Sequence, residues 1–255
     1  MPRPKFSRNA LLLLCILAAP SPASSAAQTP PDGLTKTYYD NGRVKEEKNY
    51  KNGKLDGPYK AYYENGQVRQ EVPYSAGKIS GLARKYHANG KLDTEASYKE
   101  GVKHGPHKSY DEAGNLVRDE NHKMGKLDGT AIYYDGKTGN VMGEVVYRDG
   151  ERHGRERFYT PAGQMLWENH FIDGKKNGAC RTFSIRNGWP TMTENYKDDR
   201  RHGQVVYFDE YAPVPERISR IERYTDGQLD GQTVNYDGSG RVTGTENYRA
   251  GQRIG

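Results

Sequence analysis

Seven histidines are the residues of this chain whose type first suggests metal chemistry. His104, His153 and His202 occupy the same place in three similar segments, directly before a glycine. In a sheet with strands about 4.8 Å apart, equivalent residues of alternate segments lie roughly 20 Å apart, whereas zinc–nitrogen bonds are about 2 Å long. These histidines therefore cannot share one ion. In other segments short polar residues such as Asp56 and Asn177 hold this place, which indicates a turn.

His104 and His107 are close in sequence, but no matching carboxylate or cysteine pair frames them. We therefore expect both to be surface residues. The sequence contains no nucleophile-elbow, P-loop or paired-histidine zinc-protease motif. It predicts no catalytic residue, no cofactor-binding residue and no metal ligand, and hence a protein that is not an enzyme.

A repeat of about 24 residues determines the elements that hold these side chains. Most units begin with the pattern Tyr-x-x-Gly-x-x-x-Gly, first at Tyr50, Gly53 and Gly57. Twelve positions after the first aromatic residue comes a second one, followed by a small-residue turn such as Asn65-Gly66 and then an aliphatic residue. Asn-Gly between aromatic and β-branched runs favours a hairpin because both residues accept positive φ. The repeat therefore predicts tandem β-hairpins.

Two sets of repeated residues are expected to be structural. The aromatic residues, which we expect to stack along the array as one shared apolar ladder, are Tyr50, Tyr62, Tyr74, Tyr86, Tyr98, Tyr110, Tyr134, Tyr147, Tyr159, Phe171, Phe183, Tyr196, Tyr224, Tyr236 and Tyr248. The glycines, which permit sharp turns and close backbone approach, are Gly53, Gly57, Gly66, Gly77, Gly81, Gly90, Gly101, Gly105, Gly125, Gly129, Gly150, Gly154, Gly174, Gly178, Gly227 and Gly231. One hairpin is marginal in water, so the units must stabilise one another.

An acidic residue precedes most units by two or three positions, as at Glu71 and Glu95. The resulting column has a spacing of about 10 Å, close to one Debye length at physiological salt, so repulsion within it is modest. Lysine or arginine recurs after the first glycine, as at Lys54 and Lys78, and is expected to interleave with the acids. The pattern predicts a solvated, charge-balanced face, with a binding stripe for a basic partner as the alternative.

The seventh unit departs from the pattern. Asp199 replaces its first glycine, and an insertion around residues 211–216 lengthens the connection that follows. Tyr211, Pro213 and Pro215 in this insertion form a candidate recognition loop, because long loops on rigid scaffolds often carry recognition. A tolerated insertion without a binding role is the alternative.

The recurring pattern resembles MORN repeats, most closely the variant form common in bacteria. Residues 62–81, YYENGQVRQEVPYSAGKISG, are a near-ideal copy, and the resemblance covers about residues 38–255. It implies an elongated, single-layer antiparallel sheet and a role in protein–protein contacts or in binding phospholipid headgroups. Some bacterial variants are labelled antitoxin-like, which makes an immunity partner a further alternative. Residues 235–243 also resemble the YD repeat of bacterial surface shells, but the other units match it poorly.

Residues 1–27 have the character of a secretory signal peptide. Basic residues precede an apolar run from Ala10 to Ala19, which is shorter than the about 20 residues that span a bilayer. We expect cleavage near Ala27, which leaves residues 28–37 as a linker before the array at residues 38–255. An uncleaved anchor and a lipoprotein signal at Cys15 are the alternatives.

Composition supports thin β-structure without a nucleic-acid partner. Hydrophobic residues make up only 33% of the chain and the mean hydropathy is -1.03, yet there are 20 tyrosines and 30 glycines. Removing the three basic residues of the signal lowers the formal net charge from +6 to +3, which is too small and mixed for a nucleic-acid face. Cys180 then remains as the one cysteine, and we expect a buried small residue, with an intermolecular disulfide as the alternative.

Together these features predict an all-β fold, an elongated single-layer antiparallel sheet of about eight and a half hairpin units. We expect a non-catalytic scaffold that needs no cofactor and mediates protein–protein interaction in the periplasm or outside the cell. Attachment to anionic lipid headgroups or cell-surface glycan is the alternative. The open ends of the sheet offer a route to self-association.

Overall fold

The computed structural model describes residues 30–255, and the predicted signal peptide at residues 1–27 lies outside the described residues. The described chain consists of strands and turns in one antiparallel sheet of 25 strands. This confirms the predicted fold class. Within the described residues no helix has the length and apolar character needed to cross a membrane.

The strands follow one another along the array. They are β1 (Gly33–Tyr38), β2 (Val44–Lys51), β3 (Lys54–Leu55), β4 (Gly57–Tyr62), β5 (Val68–Ser75), β6 (Lys78–Ile79), β7 (Gly81–Tyr86), β8 (Leu92–Lys99), β9 (Val102–Tyr110), β10 (Leu116–Lys123), β11 (Lys126–Leu127), β12 (Gly129–Tyr134), β13 (Val141–Arg148), β14 (Glu151–Tyr159), β15 (Met165–Ile172), β16 (Lys175–Lys176), β17 (Gly178–Phe183), β18 (Pro190–Lys197), β19 (Arg200–Arg201), β20 (Gly203–Phe208), β21 (Ile218–Thr225), β22 (Gln228–Leu229), β23 (Gly231–Tyr236), β24 (Val242–Arg249) and β25 (Gln252–Arg253).

Each unit combines a six-residue strand, a loop, an eight-residue strand, a tight turn and a two-residue strand. The eight-residue strand β5 pairs with β4 on one side and with both β6 and β7 on the other. In two units the short and the six-residue strands are continuous, as β9 and β14. Pairing therefore joins sequence neighbours throughout the described array, as the repeat predicted.

The array begins earlier than residue 38. β1 starts at Gly33, inside the segment predicted to be the linker 28–37, and pairs with β2. Gly33 has φ +106°, close to +107° at Gly57, so it is the second glycine of an incomplete first unit. The prediction missed this unit because its first aromatic residue and first glycine are absent from the sequence.

The turn in which two successive residues have positive φ is not the one that the sequence predicted. At Asn65-Gly66 only the glycine has positive φ (+89°), and the Gly66 N–H donates to the Tyr63 carbonyl at 2.9 Å. The Asn65 side chain instead accepts from the Gln67 N–H at 2.9 Å, so the expectation of two positive φ angles there is wrong. Both residues are positive at Asn52-Gly53, with φ of 52° and 70°, between Lys51 and Lys54 of the strand pair. This turn has the backbone signature of type I′, which matches the twist of the strands.

A β-bulge closes the loop end of each hairpin. Ala61 pairs with Gln70, but Tyr62 pairs with Val68, so Arg69 is the extra residue in β5. A bulge of this kind shifts which residues face each other beyond it. As a result, the second aromatic residue and the aliphatic residue after the turn lie opposite each other.

The sheet has two faces, because side chains alternate along a strand. We call face A the side that carries the paired residues Lys60 and Glu71, and face B the side that carries Tyr59 and Val72. The core lies on face B, where Tyr59, Val72 and Ala61 are buried. The central row of face B runs through Thr35, Lys48, Tyr59, Val72, Ala83, Ala96, His107, Glu120, Ala131, Val145, Glu156, Asn169, Cys180, Glu194, Val205, Glu222, Thr233 and Glu246.

The two aromatic columns lie on opposite faces, so the expectation of one shared ladder is wrong. On face B the ring of Tyr74 meets that of Tyr59 edge-on, with centroids 6.2 Å apart. On face A the Tyr62 hydroxyl donates to Glu47 of the preceding strand at 2.9 Å. The loop and the bulge between the two aromatic positions determine the face on which each lies.

Candidate functional site

Up to Arg181, the central row of face A is a ladder of alternating charges that is interrupted once, at Ile132. The Lys36 ammonium lies 2.7 Å from Glu47, and the Lys60 ammonium 2.8 Å from Glu71. These hydrogen-bonded pairs lower the pKa of both carboxyls and raise the pKa of both lysines. The row is Lys36, Glu47, Lys60, Glu71, Arg84, Glu95, Lys108, Asp119, Ile132, Glu144, Arg157, Glu168 and Arg181.

The acidic column is therefore charge-balanced, but by other cations than expected. The partners of the acids come from the six-residue strands, whereas Lys54 and Lys78 follow the type I′ turns. The prediction that these two lysines interleave with the acids is wrong. Lys54 and Lys78 lie beside the type I′ turns, whereas the acids form their ion pairs in the middle of the strands. Solvent-exposed ion pairs of this sort contribute little each, about 0–1 kcal/mol.

The charge ladder ends after Arg181. The same row of face A continues as Thr193, Val206, Ile221, Val234 and Thr245, which carry no charge. The second aromatic residues of the last units and their aliphatic partners flank it, including Val242, whose surface is 56% exposed. We call this region the C-terminal patch; it comprises Val206, Phe208, Ile218, Ile221, Val234, Tyr236 and Val242.

The insertion at residues 211–216 adjoins the C-terminal patch, because it connects β20 to β21. Its base is closed by the Asp209 N–H, which donates to the Arg217 carbonyl at 2.7 Å. Tyr211 is 76% exposed, and the Arg186 guanidinium lies 4.9 Å from its ring centroid. The predicted loop residues Pro213 and Pro215 are also exposed. The structure thus exposes a large aromatic side chain in the loop that joins Phe208 and Ile218 of the C-terminal patch.

A second candidate site lies on face B between β9 and β10. His107 Nδ1 lies 3.1 Å from Glu120 Oε2, and the ring centroids of His107 and His122 are 5.5 Å apart. One ligand atom from each of these three residues falls within 4.8 Å of the others. Burial, and next the nearby Lys103 ammonium, lower the pKa of both imidazoles, which favours their neutral form. We call these three residues the histidine cluster.

The histidine cluster contradicts two predictions from the sequence. His107 was expected at the surface, but its side chain is only 12% exposed. The carboxylate that frames it, Glu120, comes from the next strand, β10. The sequence alone could not reveal the histidine cluster, because its residues come together only through the pairing of β9 with β10. The sequence predicted no metal ligand, whereas the structure brings the side chains of a possible ligand set within 4.8 Å of one another.

His104 and His153 instead bridge neighbouring units. His104 Nδ1 accepts from the Met124 N–H and His153 Nδ1 from the Asp173 N–H, each at 3.4 Å. These contacts agree with the turn role inferred from the repeat. Cys180 is buried on face B, and burial raises the pKa of its thiol.

Comparison with known proteins bears on the repeat itself. Four tandem segments, residues 31–52, 55–76, 79–100 and 103–124, match the MORN repeat variant. No curated protein matches the chain. The crystal structures of TcdB2-TccC3-Cdc42 and TcdB2-TccC3 match over 86% of this chain at 14% identity, with TM-scores of 0.22 and 0.23, and the chain spans 14% of each matched chain. Residues 31–124 therefore contain four tandem segments that match the MORN repeat variant, as the resemblance in the sequence indicated.

Proposed function

We propose that this chain is a non-catalytic repeat scaffold that binds a protein partner through the C-terminal patch and the insertion beside it. The observation that carries the proposal is the change along face A, from a charge ladder to an uncharged, largely aliphatic row beyond Arg181. MORN-variant repeats often form scaffolds that bind proteins or membrane lipids, and this agrees with the proposed function.

The charge ladder is a poor docking surface because its ions already neutralise one another. A partner would have to replace these pairs and the water around them at a cost in free energy. The central row of the C-terminal patch consists of uncharged residues, and Tyr211 adds an exposed aromatic ring. Clustered aromatic and aliphatic side chains with few charges are typical of the centre of a protein–protein interface. These features favour a protein over an anionic lipid surface, which would select a cluster of lysines and arginines.

We place this scaffold in the periplasm or outside the cell. The support is the sequence of residues 1–27, with its basic start and short apolar run. Cys180 is compatible with an oxidising compartment because its thiol is buried.

The proposal is tested by capture from the cell envelope with the matched pair Val206→Lys and Ile132→Lys. Both residues lie in the central row of face A and in six-residue strands, but only Val206 belongs to the C-terminal patch. We expect the wild type and Ile132→Lys to retain one protein near stoichiometry at high salt, and Val206→Lys to lose it. Circular dichroism checks that both variants are folded.

Two results would contradict the proposal. Retention of lipid or glycan alone, lost as salt rises, would move the function to surface attachment. Equal loss of the partner in both lysine variants would show that the C-terminal patch is not the docking surface.

A further inference from the structure

Two departures from the repeat meet beside a buried glutamate on face B. His122 stands in the first aromatic position, where the neighbouring units have Tyr98 and Tyr147. His107 occupies the central row of face B, where the neighbouring six-residue strands carry Ala83 and Ala131. Glu120 lies between them in the same sheet, paired with His107 across β9 and β10. One substitution in a repeat is ordinary variation, but two histidines that converge on one buried glutamate indicate a local site.

We propose that the histidine cluster, His107, Glu120 and His122, binds a divalent transition-metal ion of the zinc class. Two imidazole nitrogens and one carboxylate oxygen form a ligand set suited to zinc, with a fourth position left for water. Bonds of about 2.0–2.2 Å in a tetrahedron place ligand atoms roughly 3.4 Å apart. His107 Nδ1 and Glu120 Oε2 are already 3.1 Å apart, and all three ligand atoms lie within 4.8 Å. Modest side-chain rotations therefore complete the geometry.

His122 provides an independent observation. The residue is 8% exposed, and its Nδ1 is buried without a hydrogen-bond partner among the described residues. Buried polar atoms are normally paired, and an unpaired one calls for an explanation such as a bound ion. A metal ion beside Glu120 would take up this lone pair. The His122 ring also contacts that of His107, so its nitrogen lies at the same group.

The other buried glutamates of the row do not share this arrangement. Glu194 is held by the Arg201 guanidinium at 2.7 Å, and Glu222 accepts from the Tyr207 and Tyr224 hydroxyls at 2.9 Å each. Their lone pairs are used by side chains of the sheet. In this row, as far as the structure describes it, Glu120 is the glutamate that faces two histidines.

Two cations, Lys103 and Arg118, border the histidine cluster. Lys103 Nζ lies 3.2 Å from His107 Nδ1, and Arg118 Nη1 lies 3.3 Å from Glu120. A metal ion repels both, so Lys103 has to withdraw toward solvent when the ion binds. Its side chain is partly exposed in β9, which allows this movement. Removal of the Lys103 charge is therefore expected to strengthen binding.

Calorimetric titration of the chelator-treated full chain with zinc chloride tests the proposal. We expect one equivalent to bind to the wild type, and binding at least tenfold weaker in His122→Tyr, which restores the residue type of the other units. His104→Asp is the matched control, because this histidine lies outside the histidine cluster and Asp holds its place elsewhere; its affinity should be unchanged. Lys103→Met should bind at least tenfold more tightly. Cobalt(II) in the wild type should give the visible absorption of a tetrahedral site.

Zinc binding that is absent from the wild type, or equally strong in His122→Tyr, would overturn the proposal. Equal weakening in His104→Asp and His122→Tyr would indicate scattered surface histidines and would also overturn it. If His122→Tyr does not fold, His107→Ala replaces it, since Ala83 and Ala131 hold the same row in neighbouring units. A thermal melt of each metal-free variant establishes that the fold is retained.

Discussion

Thr233 shows how tightly single side chains are constrained on face B. It is 1% exposed, and its Oγ1 has no hydrogen-bond partner among the described residues. At the equivalent place in β20 and β17 the row carries Val205 and Cys180, which are also buried. A buried hydroxyl without a partner costs about 1–3 kcal/mol. The position therefore suits an apolar side chain of the same shape.

Thr233→Val is expected to raise the free energy of unfolding by about 1 kcal/mol, because it removes the unpaired hydroxyl and keeps the shape of the side chain. Urea denaturation followed by circular dichroism measures the change. Thr130→Val is the control, since Thr130 is exposed in β12 and should change stability by less than about 0.5 kcal/mol. A loss of stability in Thr233→Val would mean that its hydroxyl has a partner.

The hairpin loop depends on one glycine whose backbone is left-handed. Gly90 has φ +82°, and a Cβ built there would lie 3.3 Å from Gln67 Oε1 of the preceding loop. The Asn89 side chain adds a bond to the next loop, donating to the Glu112 carbonyl at 2.7 Å. Each loop is thus both a turn of its own hairpin and a support for its neighbours. A side chain at Gly90 disturbs both functions.

Gly90→Val should lower the free energy of unfolding by about 1–2 kcal/mol, because a β-branched residue resists positive φ. Gly244→Val is the matched control in β24: Gly244 does not have positive φ, and its Cβ would meet no atom within 4 Å. Thermal melts of both variants measure the difference in their stability. Similar melting temperatures for the two valine variants would show that the loop tolerates the strain.

Over the whole array, each unit is stabilised by its neighbours along the chain. The turn of one unit donates a backbone hydrogen bond to the short strand before it, as from Gly77 to the Leu55 carbonyl at 2.7 Å. Gly101 repeats this contact with Ile79 at 2.8 Å. Because the described units make equivalent contacts, stability should be close to a sum over units and interfaces.

Deletion of residues 74–97, one full unit, is expected to leave a folded, shorter protein. The cut joins equivalent positions of β5 and β8, so both faces keep their residues. Deletion of residues 74–96 is the control, because one extra residue in the joined strand exchanges face A and face B beyond the cut. Circular dichroism and cooperative melting compare the two. Unfolding of both would contradict the modular description.

The repeat period, the hairpins and the glycine positions follow from the sequence alone, because local turn chemistry and alternation determine them. Gly66 and Val68 could be assigned to a turn and a strand without coordinates. The face of each aromatic column could not, since a bulge between Tyr62 and Tyr74 changes the alternation. The partners of the charges required the strand register, which joins residues that are separated along the chain by a whole hairpin loop. For the same reason only the folded sheet unites His107 with Glu120, and only there does the charge ladder end at the C-terminal patch.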